Sequence, residues 1–238
     1  MATTCSLPCR QIGKHVGIDV GLKTFYTDSE GNTVPNPRFL RKAEKRLKRL
    51  HRRKDRKHKG STNRKKAIKR LAKAYLKVSR QRQDFAVKTA RALIMSSDMI
   101  AFEDLQIANL VKNHRLAKSI ADAAWGQFLS WLRYYGHIAS VPVVAVSPCF
   151  TTQDCSGCGE RVYKSLSVRT HVCPSCGLVL DRDQNAAKNI LEAALDYLAD
   201  LNRTAGQAET GRSQERRNAS GHQTSSRRKR LRSVASDG

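Results

Sequence analysis

Hydrophobic and polar positions near the start of the chain alternate with a period of two. Residues 16–21 place valine or isoleucine at every second position, with glycine or aspartate between them. This period is typical of a β-strand with one buried face. Residues 24–27 and 32–34 predict two further strands. Residues 99–105 form an apolar run that ends in acids and residues 141–146 form another, so the chain is predicted to contain five strands.

After the third strand, apolar residues recur at steps of three and four, which predicts α-helices with one buried face. Pro37 begins this helical region, and residues 59–63 break it into two helices, with Thr62 or Asn63 as the second N-cap. The second helix is predicted to bury a seam of eight residues: Ile68, Leu71, Tyr75, Val78, Phe85, Ala86, Ala90 and Leu93.

Two further helices are predicted over residues 117–137 and 183–201. The first carries Trp125, Trp131 and Tyr135 at helical spacing, which favours a place in the core over base stacking. The alternation of strands and helices predicts an α/β fold built on a mixed sheet with flanking helices. In such a sheet the first and fourth strands can lie side by side, and the last helix can bring its N-terminus to their ends.

The charge of the chain narrows the choice of partners. Its 238 residues include 45 Lys and Arg against 20 Asp and Glu, a formal net charge of +25. Such a charge favours polyanions, so nucleic acid is the expected partner and an anionic membrane surface is the alternative. We find no stretch near the ~18 apolar residues of a membrane span and no recognisable signal peptide, so a cytoplasmic protein is expected.

Most of this positive charge lies in one region. Residues 38–82 contain 22 Lys or Arg against two acids, which accounts for +20 of the +25. Charge runs often only solvate a helix face, but at this density contact with phosphates is the better interpretation. The candidate nucleic-acid-binding residues are Arg46, Arg49, Arg52, Arg53, Lys65, Lys69 and Lys73.

Four of the seven cysteines form two CxxC pairs: Cys155 with Cys158, and Cys173 with Cys176. Two such pairs are typical of a four-cysteine structural zinc site. Redox chemistry and incidental thiols are the alternatives, and the presence of two pairs argues against both. Two neighbouring residues fall outside the pattern: Cys149, expected to be a packed thiol, and His171, expected to contact nucleic acid or lie at the surface.

Isolated carboxylates fall where the predicted fold could bring them together: Asp19 on the first strand, Glu103 on the fourth and Asp183 at the head of the last helix. Like charges repel, so such a cluster is unfavourable without a cation, and hard carboxylate oxygens suit Mg²⁺. Two Mg²⁺ ions can support phosphodiester hydrolysis. Each acid alone is as easily explained as a turn or cap residue, and Asp181 or Asp183 could simply cap the helix.

Five segments together resemble the TnpB (OrfB) family of insertion-sequence proteins, which is related to the type V CRISPR effector nucleases. In the family's order, the segments are Gly17-Ile-Asp-Val-Gly21, Phe102-Glu-Asp-Leu105, residues 151–159, residues 173–177 and residues 181–190. The last, with the sequence DRDQNAAKNI, is highly specific.

The resemblance implies a RuvC-like, ribonuclease H-like mixed sheet with an inserted four-cysteine zinc ribbon that contacts the target nucleic acid. It implies an RNA-guided DNA endonuclease encoded by a prokaryotic transposable element, associated with the nucleoid, with DNA and a guide RNA as partners. The resemblance makes Asp19, Glu103 and Asp183 the catalytic ligands of Mg²⁺ or Mn²⁺, with Asp181 as second choice for the third ligand. The alternative function is a non-catalytic zinc-dependent DNA- or RNA-binding remnant.

The predicted organisation has five parts: a disordered N-terminal remnant (1–13), a RuvC-like core (14–148) with a basic helical insertion (36–97), a zinc ribbon (149–180), a final helix (181–201) and a disordered basic tail (202–238). Members of the family carry a sizeable lobe before the first strand of the core. Because that strand begins here near residue 15, we expect the chain to lack this lobe.

Overall fold

A computed structural model describes residues 13–165 and 167–204 of the chain. Residues 1–12 of the predicted N-terminal remnant (1–13) and residues 205–238 of the predicted tail (202–238) lie outside the described residues. The chain divides into two compact units after Ala194, and the described part of the second unit is helical. The first unit contains both sheets.

The main sheet has five strands in the order β3-β2-β1-β4-β5. The strands are β1 (His15–Val20), β2 (Thr24–Asp28), β3 (Thr33–Pro35), β4 (Met99–Glu103) and β5 (Val143–Val146). β1 runs antiparallel to β2 and parallel to β4, and β4 runs parallel to β5. The mixed sheet and the pairing of its first and fourth strands are therefore as predicted. A separate antiparallel hairpin consists of β6 (Thr170–Val172) and β7 (Val179–Asp181).

Five helices lie between the strands: α1 (Phe39–Asp55), α2 (Thr62–Met95), α3 (Ile107–Leu110), α4 (Ala117–Ala123) and α5 (Trp125–Ala139). Residues 182–204 are also helical, and we call the part in the first unit, residues 182–194, α6. Residues 202–204 were expected to belong to a disordered tail, but they continue the helical backbone. In the part of the chain that the structure describes, no helix is long and apolar enough to cross a bilayer.

One face of the main sheet packs against α2, α4 and α5 to form the hydrophobic core. The even-numbered positions of β1 point into this core, as the period-two pattern predicts. The rings of Phe25 and Phe128 are fully buried there and meet edge to face with centroids 5.0 Å apart. The helical aromatic residues belong to the same core, also as predicted: Trp125, Trp131 and Tyr135.

Two predicted helix boundaries are wrong. α2 is capped by Ser61 rather than Thr62 or Asn63, because the Ser61 hydroxyl accepts a hydrogen bond from a backbone N–H three residues later. The single helix predicted over residues 117–137 is two helices, because Ala124 adopts a left-handed conformation with φ 56°. Neither a cap chosen among three adjacent polar residues nor a left-handed alanine leaves a clear sequence signal.

The predicted buried seam of α2 is partly correct. Its buried members are Leu71, Val78, Ala86, Ala90 and Leu93. Ile68 and Tyr75 are exposed instead, at 45% and 44% of their surface. Tyr75 lies at the rim of the contact with α1, where its hydroxyl forms a 2.8 Å hydrogen bond with His51 Nε2. A polar end on an aromatic ring favours such a rim over a sealed core.

Candidate active site

Two of the predicted acids lie at the carboxyl ends of neighbouring parallel strands. Ile18 of β1 lies opposite Phe102 of β4. The next residues along the two strands, Asp19 and Glu103, therefore also lie opposite each other. Side chains of residues paired in this way project to the same face of a sheet. The two carboxylates therefore share the face opposite the hydrophobic core.

The helix α6 lies directly on that face. A Cβ atom added to Gly17 would lie 2.0 Å from the backbone oxygen of Ala187 and 2.9 Å from Leu191 Cβ, so only glycine permits this approach. Gly17 is two residues from Asp19 on the same face of β1, and Asp183 is one helical turn before Ala187. The close contact at Gly17 therefore brings Asp183 towards Asp19.

Asp19 is close enough to the other two acids for their charges to raise its pKa. Burial raises the pKa of Asp19 well above its usual range, and the Glu103 and Asp183 carboxylates raise it further. Burial also raises the pKa of Glu103. Because the negative charges of Asp19 and Glu103 are costly, a bound cation would offset their lost hydration and the repulsion at Asp19.

Three further side chains contact these acids and hold two of them in place. Glu103 accepts a hydrogen bond from the Thr151 hydroxyl. The mostly buried Asp183 carboxylate lies 3.0 Å from Arg182 Nη2 and 3.4 Å from Arg169 Nη1. Sequence reasoning assigned no role to Thr151 or Arg169, because neither residue is close in sequence to the acid it contacts.

The four predicted cysteine ligands converge. Their sulfurs all lie within 4.8 Å of one another, and two of the Sγ–Sγ distances are 3.6 Å, from Cys155 to Cys176 and from Cys158 to Cys173. Sulfurs placed ~2.3 Å from a tetrahedral zinc ion are ~3.8 Å apart, so the cluster could hold such an ion. Among the described residues this is the one group of three or more His, Cys, Asp or Glu ligands packed so tightly, so the three carboxylates are spaced more widely.

The predictions for two residues near the cysteines are wrong. His171 is fully buried rather than at the surface, and its Nδ1 accepts a hydrogen bond from the Lys164 ammonium group. Burial, together with the charge of Lys164, lowers the pKa of His171. Cys149 is exposed rather than packed, because it lies in the bend that follows β5.

The basic residues lie on a helical hairpin formed by α1 and α2. The two helices pack through a small cluster of Leu47, Leu71 and Ala74. All seven candidate nucleic-acid-binding residues are exposed on the outside of this hairpin. In residues 13–165 and 167–204, the ion pairs of α1 and α2 involve other residues, so these seven cations face solvent.

A buried acid that sequence reasoning missed fixes the hairpin to the rest of the first unit. Asp122 of α4 accepts hydrogen bonds from the backbone N–H groups of Leu40 at 2.8 Å and Arg41 at 3.1 Å. It also lies 3.0 Å from the Arg82 guanidinium. One carboxylate therefore caps the first turn of α1 and pairs with α2. A lone acid on the mostly apolar α4 was the available signal.

Two family models match the chain in sequence. Residues 3–114 match OrfB_IS605, described as "Probable transposase". Residues 125–190 match the model described as "Cas12f1-like, TNB domain". The second match covers the four cysteines and the start of α6, and the first covers β1 through β4.

Curated relatives match over most of the chain. A Streptomyces pristinaespiralis protein named "Putative RNA-guided DNA endonuclease" is 39% identical over 182 residues, which are 76% of this chain and 45% of that protein. The Escherichia coli K12 protein named "Putative RNA-guided DNA endonuclease InsQ" is 30% identical over 210 residues, 82% of this chain and 52% of that protein. The chain thus spans about half the length of the curated relatives it matches.

The fold is also similar to that of a solved structure. The protein in a Cas12f1-sgRNA-target DNA complex aligns with a TM-score of 0.50 over 74% of this chain and 49% of that chain. The sequences are 19% identical over this alignment, so the likeness concerns the fold alone.

Proposed function

Because the chain belongs to the TnpB (OrfB) family, we propose that it is an RNA-guided DNA endonuclease that hydrolyses phosphodiester bonds with a RuvC-like acidic site. The observation that supports the proposal is the close approach of α6 to β1 at Gly17, which brings Asp183 towards Asp19. Asp19, Glu103 and Asp183 come from two neighbouring strands and one helix, and their charges perturb the pKa of Asp19.

The fold supports this assignment. An antiparallel β1–β2 pair extended by parallel β4 and β5 is the mixed sheet expected of a ribonuclease H-like core. Asp19 and Glu103 stand at the carboxyl ends of parallel strands, where α/β sheets generally place their ligand sites.

The carboxylates have the hard oxygen donors that Mg²⁺ or Mn²⁺ requires. Two such ions, when bound, would activate a water molecule and stabilise the leaving oxygen of the phosphodiester. Asp19, Glu103 and Asp183 would hold these ions, with Asp19 the acid whose pKa the other two raise. Thr151 orients Glu103, and Arg169 with Arg182 orients Asp183.

The remaining features fit nucleic-acid partners. The α1–α2 hairpin would hold phosphates with its exposed arginines and lysines, largely without reading sequence. The cysteine cluster would bind a structural Zn²⁺, and the ribbon around it would contact the target strand. DNA and a guide RNA are the proposed partners.

A cleavage assay tests the proposal. The purified chain is incubated with single-stranded DNA and Mg²⁺ or Mn²⁺, with and without RNA transcribed from the flanking locus. We expect metal-dependent cleavage that Asp19→Ala reduces by about 10²-fold or more, since even an outer-shell metal contact is worth 10–100-fold. DNA binding by Asp19→Ala should stay near the wild-type level.

Asp84→Ala provides the matched control, because Asp84 is an exposed acid that forms an ion pair with Lys88 one turn away. It should leave cleavage unchanged. Equal cleavage by wild type and Asp19→Ala would remove the assignment of Asp19. Salt-dependent binding with no cleavage under any metal or RNA condition would instead favour the non-catalytic zinc-dependent binding protein.

A further inference from the structure

Two asparagine side chains on α6 hold the backbone of the loop that leads into the first cysteine pair. Asn185 Oδ1 accepts a hydrogen bond from Ser156 N at 3.0 Å, and its Nδ2 donates to the Asp154 carbonyl at 2.7 Å. Asn189 Nδ2 donates to the carbonyls of Thr151 and Asp154, both at 2.7 Å. One face of α6 is therefore bonded to residues 151–156 at both ends of the loop.

These bonds are costly to break. Asn185 is fully buried, among the fully buried alanines of the same helix. A buried amide that loses its partner bears the whole cost of its lost hydration, so the loop and helix are held in one arrangement. The two asparagines are also one helical turn apart, which places both side chains on the same side of α6.

The loop touches both candidate metal sites. It contains Cys155, which is fully buried within the cysteine cluster. It also contains Thr151, whose hydroxyl donates to Glu103. A second connection runs from the other end of the ribbon, because Arg182 N donates to the Arg169 carbonyl and the Arg169 side chain contacts Asp183.

We propose that Asn185 and Asn189 are positioning residues that couple the cysteine metal site to the acidic metal site. Zinc held by the cysteines orders the loop, the two asparagines fix that loop to α6, and Thr151 and Asp183 are thereby held in the geometry that binds Mg²⁺. The inference rests on the proposed function in assuming that the carboxylates bind Mg²⁺.

Coupling between two sites is reciprocal, which makes it measurable without any cleavage assay. Zinc affinity is determined by competition with a zinc-selective chelator, in the absence and presence of saturating Mg²⁺. Mg²⁺ is a hard cation that avoids thiolate ligands, so it acts on zinc affinity through the carboxylates. We expect Mg²⁺ to tighten zinc binding of the wild type by about fivefold or more, the lower end of typical coupling between sites.

Asn189→Ala should abolish most of this Mg²⁺ effect while keeping zinc bound at one ion per chain and the circular dichroism unchanged. The half-buried position of Asn189 makes this variant a milder change than Asn185→Ala. Should Asn189→Ala fail to fold, Asn189→Ser retains one donor and should show an intermediate coupling. Asn109→Ala is the control, since Asn109 is an exposed asparagine on α3, and it should keep the full Mg²⁺ effect.

The outcomes separate this inference from the proposed function. Calorimetry first establishes that Mg²⁺ binds to the wild type and not to Asp19→Ala. If Mg²⁺ binds in this way and Asn189→Ala keeps the full effect of Mg²⁺ on zinc affinity, the asparagines do not couple the two sites. The assignment of the acidic metal site would still stand. If Mg²⁺ does not bind to the wild type, the acidic metal site is wrong and the coupling is wrong with it.

Discussion

The Asp181 carboxylate accepts a hydrogen bond from the backbone N–H of Asp183 at 2.9 Å. Two acids separated by one residue therefore have different surroundings at the start of α6. Asp181 is exposed and satisfies an N–H group of the first helical turn, as an N-cap does. Asp183 is mostly buried and lies near Asp19 and two guanidinium groups. This difference favours Asp183 over Asp181 as the third metal ligand.

Asp183→Asn should lower metal-dependent cleavage by about 10²-fold or more, because it removes a charged ligand. Asp181→Asn keeps a capping oxygen and should cost at most about 1 kcal/mol of stability, with cleavage within a few-fold of the wild type. Single-turnover cleavage and urea unfolding of both variants measure these effects. The reverse order of activities would make Asp181 the ligand.

Asp19→Asn should stabilise the Mg²⁺-free, zinc-loaded protein. The pKa of Asp19 is higher in the folded state than in the unfolded state. The folded wild type therefore loses stability as the pH rises from the unfolded-state pKa to the folded-state pKa of Asp19. Below the unfolded pKa of about 3.9 the variant should match the wild type, and above the folded pKa it should be more stable.

Urea unfolding at a series of pH values measures the difference between the two proteins. Saturating Mg²⁺ should stabilise the wild type alone, since the variant lacks the Asp19 carboxylate. A wild type that becomes more stable than Asp19→Asn as the pH rises, with no Mg²⁺ present, would show that the Asp19 charge is already compensated by the protein.

Much of this arrangement could be predicted from the sequence, because local patterns carry it. The period-two pattern around Asp19 indicated the face of β1 on which the carboxylate lies, and the order of elements allowed β4, which carries Glu103, to lie beside β1. The two CxxC pairs identified the cysteine cluster, since the spacing of a knuckle is a local property.

The rest depends on contacts between residues far apart in the chain. Asp122 meets the amides of α1 about 80 residues away, and Thr151 meets Glu103 across 48 residues. The lone acid on α4 marks Asp122 as unusual, but nothing near either residue in sequence identifies the distant group that it contacts. His171 illustrates the same limit, since its burial depends on the way the β6–β7 hairpin packs and not on its spacing from the cysteines.

Gly17→Ala should destabilise the protein by about 1–3 kcal/mol, the usual cost of an overpacked core. Its new methyl group would lie 2.0 Å from the Ala187 backbone oxygen, and backbone cannot move aside as a flexible side chain can. The displaced α6 would carry Asp183 away from Asp19, so cleavage should fall as well.

Gly126→Ala is the matched control for this change, because its Cβ would meet Ile107 Cδ1 at an ordinary 3.5 Å. Inside helix α5 that replacement should be neutral or stabilise by up to about 1 kcal/mol. Thermal unfolding and cleavage of both variants measure the contrast. Equal stability of the two alanine variants would contradict the close packing of α6 on β1.

Asp122→Ala should cost about 3–5 kcal/mol, because it leaves the partly buried Arg82 unpaired and removes the cap of α1. Asp84→Ala, which removes an exposed acid of an i,i+4 pair, should cost about 0.5 kcal/mol or less. Urea unfolding of both variants tests the difference. Similar losses for the two would mean that Asp122 does not fix the hairpin.

The α1–α2 hairpin should dominate the salt dependence of nucleic-acid binding. Each phosphate contact contributes about 0.7 to the slope of log affinity against log salt for single strands, so Arg46→Gln with Arg49→Gln should lower the slope by about 1.4. The loss should be similar for oligonucleotides of different sequence, because phosphate contacts carry no base information. Fluorescence anisotropy between about 50 and 200 mM salt gives the slope.

The control removes the same charge elsewhere, through Lys112→Gln with Arg115→Gln at exposed positions beyond α3. If the control pair changed the slope as much as the hairpin pair, the bound strand would not follow the hairpin.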